Sequence, residues 1–174
     1  MNAAIVLAAG QGKRMNSAVQ KQFLLLNGRP LLLYSLEAFQ KSKIDRIILV
    51  TGKEEIEYCR EEITVPYGIT KADAIVAGGR ERYHSVYEGL KAAEGCEEIL
   101  IHDGARPLVT EKMIHDALDG ARKYGACIVG MPVKDTIKVS DQEGFVASTP
   151  DRSHLWQIQT PQAFHYSWIR GAYD

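Results

Sequence analysis

The chain has 174 residues and a formal net charge of −1, and its composition is 45% hydrophobic and 25% charged. That length suits one domain with a buried core, and the composition is globular rather than disordered. The near-neutral charge excludes a protein that coats nucleic acid or anionic membrane through its overall field. The three cysteines form no C-x-x-C pair, and no apolar run approaches the roughly 20 residues that span a bilayer, so we expect a cytoplasmic protein.

Short apolar runs rich in β-branched residues recur along the chain and predict buried strands. They lie at 3–7, 44–50, 73–76, 98–102 and 127–131. Helical patterns separate these runs, at 110–124 behind a Thr N-cap candidate, after Pro30, around 83–90 and, more weakly, at 54–62. The alternation predicts a three-layer α/β domain over residues 1–174, with a mostly parallel sheet covered on both faces.

The alternation changes after Pro132. Segments 136–139 and 145–149 have a strand-like pattern on either side of a turn-like sequence at 140–144, which predicts a hairpin. We therefore expect a protruding β-arm at residues 133–155. A short apolar segment at 155–158 and a helical tail from Tyr166 follow it.

The loop after the first strand is the strongest local signal for a ligand site. It reads LAAGQGKRM at positions 7–15 and follows the carboxyl end of a strand, where open α/β sheets bind ligands. Ala8, Ala9 and Gly10 permit close approach of the backbone to a phosphate, and Arg14 and Lys21 add positive charge. A glycine turn with solvated basic residues is the plainer interpretation.

Two known phosphate-binding motifs do not match this loop. A dinucleotide fingerprint needs a third glycine where Met15 stands, and a Walker loop needs Gly-Lys-Ser/Thr. No acidic residue precedes Glu37, which favours an anion site in this part of the chain.

Three further features carry candidate ligand contacts. Asp103 ends a buried strand and offers an oxygen ligand for Mg²⁺, although Asp also caps turns. The glycine turn that contains Gly79 and Ser85 opens a helix and can donate backbone N–H groups, although a simple turn and cap would look the same. Arg152 and the polar segment after it are further candidates, although a surface loop is the plainer interpretation. His102 has no partner at zinc-like spacing, so we interpret it as structural.

Five motifs occur in one order: LAAGQGKRM with KQF after it, GGRERYHSV, LIHDGARP, PVKDTIKV and DRSHLWQIQTPQAF. Together they resemble the 2-C-methyl-D-erythritol 4-phosphate cytidylyltransferase family, from residue 3 to about residue 166. The resemblance implies the nucleotide-diphospho-sugar transferase fold. It also implies transfer of a cytidylyl group from CTP to 2-C-methyl-D-erythritol 4-phosphate with release of pyrophosphate, in non-mevalonate isoprenoid biosynthesis.

The resemblance implies roles for individual residues. Arg14 and Lys21 match positions that stabilise charge at the α-phosphate, and Asp103 matches a position for Mg²⁺ and substrate. Residues that match contacts of the cytidine part of CTP are Ala8, Ala9, Gly10, Gly79 and Ser85. Residues that match positions holding 2-C-methyl-D-erythritol 4-phosphate are Arg106, Thr136, Arg152 and Thr160. The β-arm would support a homodimer, so Thr136 and Arg152 would serve the neighbouring subunit.

The chain departs from the family pattern at its end. Family members continue past this point and carry a Lys that grips the substrate phosphate, so the resemblance implies a domain truncated at its C-terminus. Two alternatives remain open: a ribitol-5-phosphate cytidylyltransferase, which uses a similar loop, and a catalytically impaired nucleotide-binding module. A nicotinamide dehydrogenase is disfavoured by Met15.

Overall fold

The computed structural model describes residues 1–10 and 20–174. The strands are β1 (Asn2–Ala8), β2 (Leu25–Leu26), β3 (Arg29–Pro30), β4 (Arg46–Thr51), β5 (Ala74–Ala77), β6 (Glu98–Asp103), β7 (Ala126–Pro132), β8 (Val139–Ser140), β9 (Val146–Ser148) and β10 (Trp156–His165). The helices are α1 (Leu31–Lys41), α2 (Ile56–Tyr58), α3 (Arg82–Ala92), α4 (Glu111–Tyr124) and α5 (Tyr166–Tyr173).

The central sheet has six strands in the order β5-β4-β1-β6-β10-β7. The first four of these strands pair in parallel, and β10 pairs antiparallel with both β6 and β7. The predicted α/β class with a mostly parallel sheet is confirmed. Because β1 and β6 are parallel neighbours, their carboxyl ends lie side by side, and this edge of the sheet carries the site.

β10 is longer than the apolar segment at 155–158 suggested. It runs to His165 through a register irregularity between Ile158 and Gln162. The polar sequence at 159–162 and its Pro161 hide the strand, because a proline usually excludes a central strand. Burial on the sheet explains why the segment is a strand nevertheless, since Ala163 is fully buried and Thr160 is only 8% exposed.

Helices cover both faces of the sheet. On one face α1 and α4 bury apolar side chains that include Leu36, Phe39 and Leu118. On the other face α3 packs Val86 and Leu90 against strand residues, with α5 partly buried beside it. These two clusters join the sheet to the helices on its two faces, which gives the predicted three layers. In the described part of the chain, no helix combines the length and the apolar character needed to cross a bilayer.

Local chemistry explains the helix ends. The Thr110 hydroxyl accepts a hydrogen bond from the Met113 N–H at 3.2 Å, which confirms the N-cap, and Gly125 ends α4 with a positive φ of 85°. The weak pattern at 54–62 forms a broken helix instead, with a 3₁₀ turn (Lys53–Glu55), α2 and a π turn (Cys59–Thr64). The short β2–β3 hairpin was not predicted, although its Asn-Gly turn is a standard hairpin signal.

The expected β-arm is present, with shorter strands than its sequence pattern suggested. β8 and β9 pair antiparallel, and almost every residue from 133 to 155 is exposed. The base of the arm is closed by the Val133 N–H, which donates to the Leu155 carbonyl at 3.0 Å. At the tip, the Asp141 carboxylate accepts backbone N–H groups of Glu143 and Phe145 at 3.0 and 2.9 Å. The arm therefore holds its shape mainly by its own hydrogen bonds.

Candidate active site

A cavity of about 680 Å³ lies at the carboxyl edge of β1 and β6. Three segments line it: the end of β1 with the 3₁₀ turn at Lys21–Phe23, the start of α3, and the end of β6. Residues that were singled out from the sequence and that line this cavity are Ala8, Ala9, Gly10, Lys21, Gly79, Ser85 and Asp103. Arg14 lies outside the described residues. The structure thus brings together one set of predicted residues from three separate motifs.

Gln22 holds the start of the loop after β1. This side chain is 3% exposed, and its Nε2 donates to the Ala8 carbonyl at 2.5 Å and the Gly10 carbonyl at 3.3 Å. The adjacent Lys21 is exposed and lines the cavity. Sequence reasoning missed Gln22. The only signal was a polar amide between Lys21 and an apolar run, where a buried amide must find hydrogen-bond partners.

The turn before α3 packs closely against the first loop. A Cβ atom on Gly78 would lie 2.6 Å from both the Ala9 Cβ and the Ser85 Oγ, so only glycine allows this approach. The Gly79 N–H donates to the Ser85 Oγ at 3.1 Å, and Ser85 is 4% exposed. Ser85 therefore shapes the turn as well as lining the cavity.

Two guanidinium groups hold the carboxylate of Asp103. Its Oδ1 accepts from Nε and Nη2 of Arg82 at 3.1 and 3.0 Å, and its Oδ2 accepts from Nε of Arg106 at 3.0 Å. Burial alone would raise the pKa of Asp103. The charge of Arg82 and the hydrogen bond from Arg106 outweigh burial, so the pKa lies below its ordinary value and the carboxylate is charged at neutral pH.

Arg82 was not singled out from the sequence. It lies in the first turn of α3, three residues after Gly79, and its side chain is 50% exposed on the cavity wall. A basic residue at the start of a helix is usually a solvated charge. The sequence around Arg82 therefore does not predict its ion pair with Asp103, which lies on another element. The available signal is that ligand sites of open α/β sheets lie at the carboxyl ends of the strands, where Asp103 ends β6.

Arg106 and Thr160 lie on the other side of Asp103. They line a neighbouring cavity of about 420 Å³. The Arg106 guanidinium also donates to the Gln159 side-chain oxygen, and the Thr160 hydroxyl accepts from the Asp103 N–H at 3.3 Å. Arg106 and Thr160 are the two predicted substrate-positioning residues outside the arm, and both contact Asp103.

Thr136 and Arg152 are placed apart from both cavities. Both residues are exposed on the arm, and neither lines either cavity in the described part of the chain. The Arg152 Nη1 donates to the Lys134 carbonyl at 2.7 Å and so helps to close the base of the arm. Within one chain, these two predicted residues are not part of the assembled site.

The charges around the first cavity suit a polyanion. Lys21, Arg80 and Arg82 line it together with backbone groups of two small-residue turns, while Glu81 and Asp103 supply negative charge. Backbone N–H groups and positioned cations are the usual means of binding phosphates and of neutralising charge during phosphoryl-type transfer. Within residues 1–10 and 20–174, no group of three or more His, Cys, Asp or Glu side chains could form a metal centre alone.

An α/β sheet whose carboxyl edge presents small-residue turns and cations around one acidic strand end suits the binding of a nucleotide, as a nucleotidyltransferase requires. Residues 2–174 match the family model described as 2-C-methyl-D-erythritol 4-phosphate cytidylyltransferase, and the chain belongs to this family. The resemblance recognised from the five motifs is therefore confirmed.

Curated relatives and solved structures agree with this assignment. The protein of this name from Lachnoclostridium phytofermentans is 52% identical over 98% of this chain and 73% of its own length. The one from Clostridium kluyveri is 47% identical over 97% of this chain and 73% of its own. The crystal structure of 4-diphosphocytidyl-2C-methyl-D-erythritol synthase from Anaerococcus prevotii matches with a TM-score of 0.85 at 35% identity, over 99% of this chain and 73% of that one.

Proposed function

We propose that the chain transfers a cytidylyl group from CTP to 2-C-methyl-D-erythritol 4-phosphate, releasing pyrophosphate. A phosphate oxygen of the alcohol phosphate attacks the α-phosphorus of CTP. A new P–O bond forms there, and the bond from the α-phosphorus to the bridging oxygen of the β-phosphate breaks. Because the nucleophile is already ionised, the protein needs to position two anions rather than to supply a base or a covalent nucleophile.

The first cavity is the site that we assign to CTP. The turns at Ala8–Gly10 and at Gly79 offer backbone groups, and the buried Ser85 fixes the second turn. Lys21 lines the same cavity, where its ammonium group can stabilise charge that develops on the α-phosphate. Arg14 belongs to this role by family resemblance.

Magnesium is part of the proposal, with Asp103 as its protein ligand. A carboxylate oxygen is the donor that Mg²⁺ prefers, and Mg²⁺ usually takes one or two carboxylates together with substrate phosphates and water. Arg82 and Arg106 contact both oxygens of Asp103, and a bound polyphosphate would offer these guanidinium groups other partners. The residues therefore fit an ion that shares substrate and protein ligands, and such an ion neutralises negative charge on the phosphates.

A homodimer through the arm completes the proposal. Phe145 and Val146 are 69% and 61% exposed on the arm, and Trp156 is 59% exposed just after it. Large exposed apolar side chains of this kind offer a surface that a partner can cover. A second copy would also bring Thr136 and Arg152 to a site, which the fold of one chain does not do. Three free thiols, two of them buried, suit the reducing cytoplasm.

The gathering of Ala8, Gly79, Ser85, Lys21 and Asp103 in one cavity is the observation that carries the proposal. Pyrophosphate release should be measured with CTP, Mg²⁺ and, in turn, 2-C-methyl-D-erythritol 4-phosphate or ribitol 5-phosphate. We expect release with the first alcohol phosphate. Turnover with ribitol 5-phosphate alone would transfer the assignment to that substrate, and CTP binding without any release would identify a nucleotide-binding module.

A further inference from the structure

His102 is a fully buried polar side chain next to the candidate site. It lies on β6 immediately before Asp103, with 0% of its surface exposed. Its Nδ1 lies 2.9 Å from the Thr160 hydroxyl on β10, and its Nε2 lies 3.2 Å from the Arg106 carbonyl oxygen. The Phe39 ring packs edge-on against the imidazole, with ring centroids 5.3 Å apart. Both ring nitrogens therefore have a partner, and both partners belong to residues that were expected to hold substrate.

The partners determine where the protons lie. A carbonyl oxygen only accepts, so Nε2 must carry hydrogen. The ring is fully buried, and its two nitrogens face a hydroxyl and a carbonyl rather than a carboxylate. A buried cation without an anionic partner is costly, so the ring is neutral and Nδ1 has no hydrogen. The Thr160 hydroxyl must then donate to Nδ1. Its oxygen also accepts the Asp103 N–H at 3.3 Å.

This arrangement uses the hydroxyl hydrogen of Thr160 inside the protein. An ionised phosphate accepts hydrogen bonds and cannot donate them. The Thr160 hydroxyl already donates its hydrogen to His102, so it has none to donate to the phosphate. The family resemblance placed Thr160 among the residues that position the alcohol phosphate. The hydrogen-bond pattern requires a different way for it to do so.

We propose that His102 is a positioning residue, and that Thr160 acts on the substrate through His102 and the turn at 103–106 rather than by direct contact. Thr160 holds the start of this turn at the Asp103 N–H, and His102 holds its end at the Arg106 carbonyl. The turn is closed by the Arg106 N–H, which donates to the Asp103 carbonyl at 2.9 Å. The backbone that carries the Asp103 carboxylate and the Arg106 guanidinium is thereby fixed from two strands.

The kinetic consequence rests on the proposed function. Loss of the hydroxyl in Thr160→Val, or of the ring in His102→Gln, should raise KM for 2-C-methyl-D-erythritol 4-phosphate about fivefold, the effect of one lost hydrogen bond. KM for CTP should change less, because the turns at Ala8–Gly10 and Gly79 are held by other bonds. Thr160→Ser keeps the hydroxyl and should keep the KM of the parent chain.

A double variant separates this inference from direct contact. If Thr160 acts through His102, then Thr160→Val combined with His102→Gln should have about the same KM as either single change, since both remove one network. If Thr160 bonds the substrate itself, the two effects should multiply to about 25-fold. Multiplication of the two effects would overturn the inference.

Nitrogen NMR of the histidine rings tests the proton positions without turnover, on the full chain at pH 7. The ring signals of His102 are assigned through bonds from its backbone amide in the parent chain. We expect a protonated Nε2 and a bare Nδ1, unchanged when 2-C-methyl-D-erythritol 4-phosphate is added to saturation. Hydrogen on Nδ1, or a change of tautomer on adding this phosphate, would refute the inference even if the variants fail to fold. If the chain releases no pyrophosphate but the NMR result holds, only the proposed function fails.

Discussion

The sheet edge and the β-arm both carry residues expected to contact substrate, but the two regions surround these residues differently. At the sheet edge, side chains from distant motifs converge because parallel strands end together, and Asp103 finds Arg82 and Arg106 within one chain. On the arm, Arg152 donates to the Lys134 carbonyl, and apolar side chains such as Phe145 are exposed. The sheet edge therefore gathers candidate site residues within one chain, whereas the arm holds its candidate residues away from both cavities.

The difference separates two kinds of functional residue. A side chain such as Lys21 or Asp103 gets its role from the tertiary structure, so its effect is expected in a single chain. Thr136 and Arg152 would get their roles from assembly, so their effects should depend on the partner. The following experiments test that separation.

The largest effect is expected from Lys21→Ala. If the ammonium group stabilises developing charge on the α-phosphate, kcat should fall roughly 100-fold or more while CTP binding weakens much less. Steady-state kinetics and a direct binding measurement give the two values. Lys112→Ala is a matched control, because that side chain is 82% exposed on α4, and it should leave both values unchanged. An equal loss of CTP affinity and kcat in Lys21→Ala would contradict the role.

The pH dependence of stability should come from the sheet edge rather than the arm. Burial lowers the pKa of His102 to about 4, so between this value and roughly 6.5 the unfolded chain binds more protons than the folded one. The free energy of unfolding should therefore decrease as pH falls through this window, by up to roughly 3 kcal/mol.

Urea unfolding at several pH values, in EDTA, measures this decrease. His102→Gln should remove most of the decrease, and His154→Gln on the arm should keep it. The same pH dependence in both variants would show that another group is responsible.

A glycine at the sheet edge and a glycine on the arm should differ in the stability that is lost when each is replaced by alanine. In Gly104→Ala the new Cβ would lie 2.7 Å from the Leu32 Cδ1 and 3.0 Å from the Leu7 carbonyl oxygen, so we expect a loss of roughly 1–3 kcal/mol. Gly144 at the arm tip has free space but a φ of 90°, so Gly144→Ala should cost about 1 kcal/mol. Urea unfolding measures both losses, and a larger loss for Gly144→Ala would reverse the comparison.

The smallest kinetic effect is expected from the residue whose role depends on assembly. Arg152→Ala should raise KM for 2-C-methyl-D-erythritol 4-phosphate about tenfold, the effect of one lost charged hydrogen bond, while Lys138→Ala on the same arm should not. Mixing Arg152→Ala with Arg14→Ala should restore part of the activity, because one site of each mixed dimer then has both residues intact. If mixing restores nothing, the arm does not act across subunits.

Local patterns predicted the elements well where a few residues decide the outcome. Thr110 caps the start of α4 as expected, and the small residues after β1 and before α3, which the family resemblance assigned to one ligand, line the same cavity. Arg82, Gln22 and the partners of His102 could not be predicted in this way. Their contacts form only on folding, because Arg82 pairs with Asp103 on another element and Thr160 pairs with His102 across the sheet, while Gln22 bonds carbonyls of the first loop. The motif pattern supplied the family, because five motifs in order restrict the chain far more than any single turn.

The position of β10 also affects the order in which the chain can fold. In the described sheet, β7 joins the other strands only through β10, although β10 follows it by more than twenty residues. A growing chain that ends before Trp156 can pair β5, β4, β1 and β6, but it leaves β7 and the arm without a neighbour. The Thr160 bond to His102 forms in the same step. The contact between Thr160 and His102 and the pairing of β7 are therefore completed together, when β10 joins the sheet.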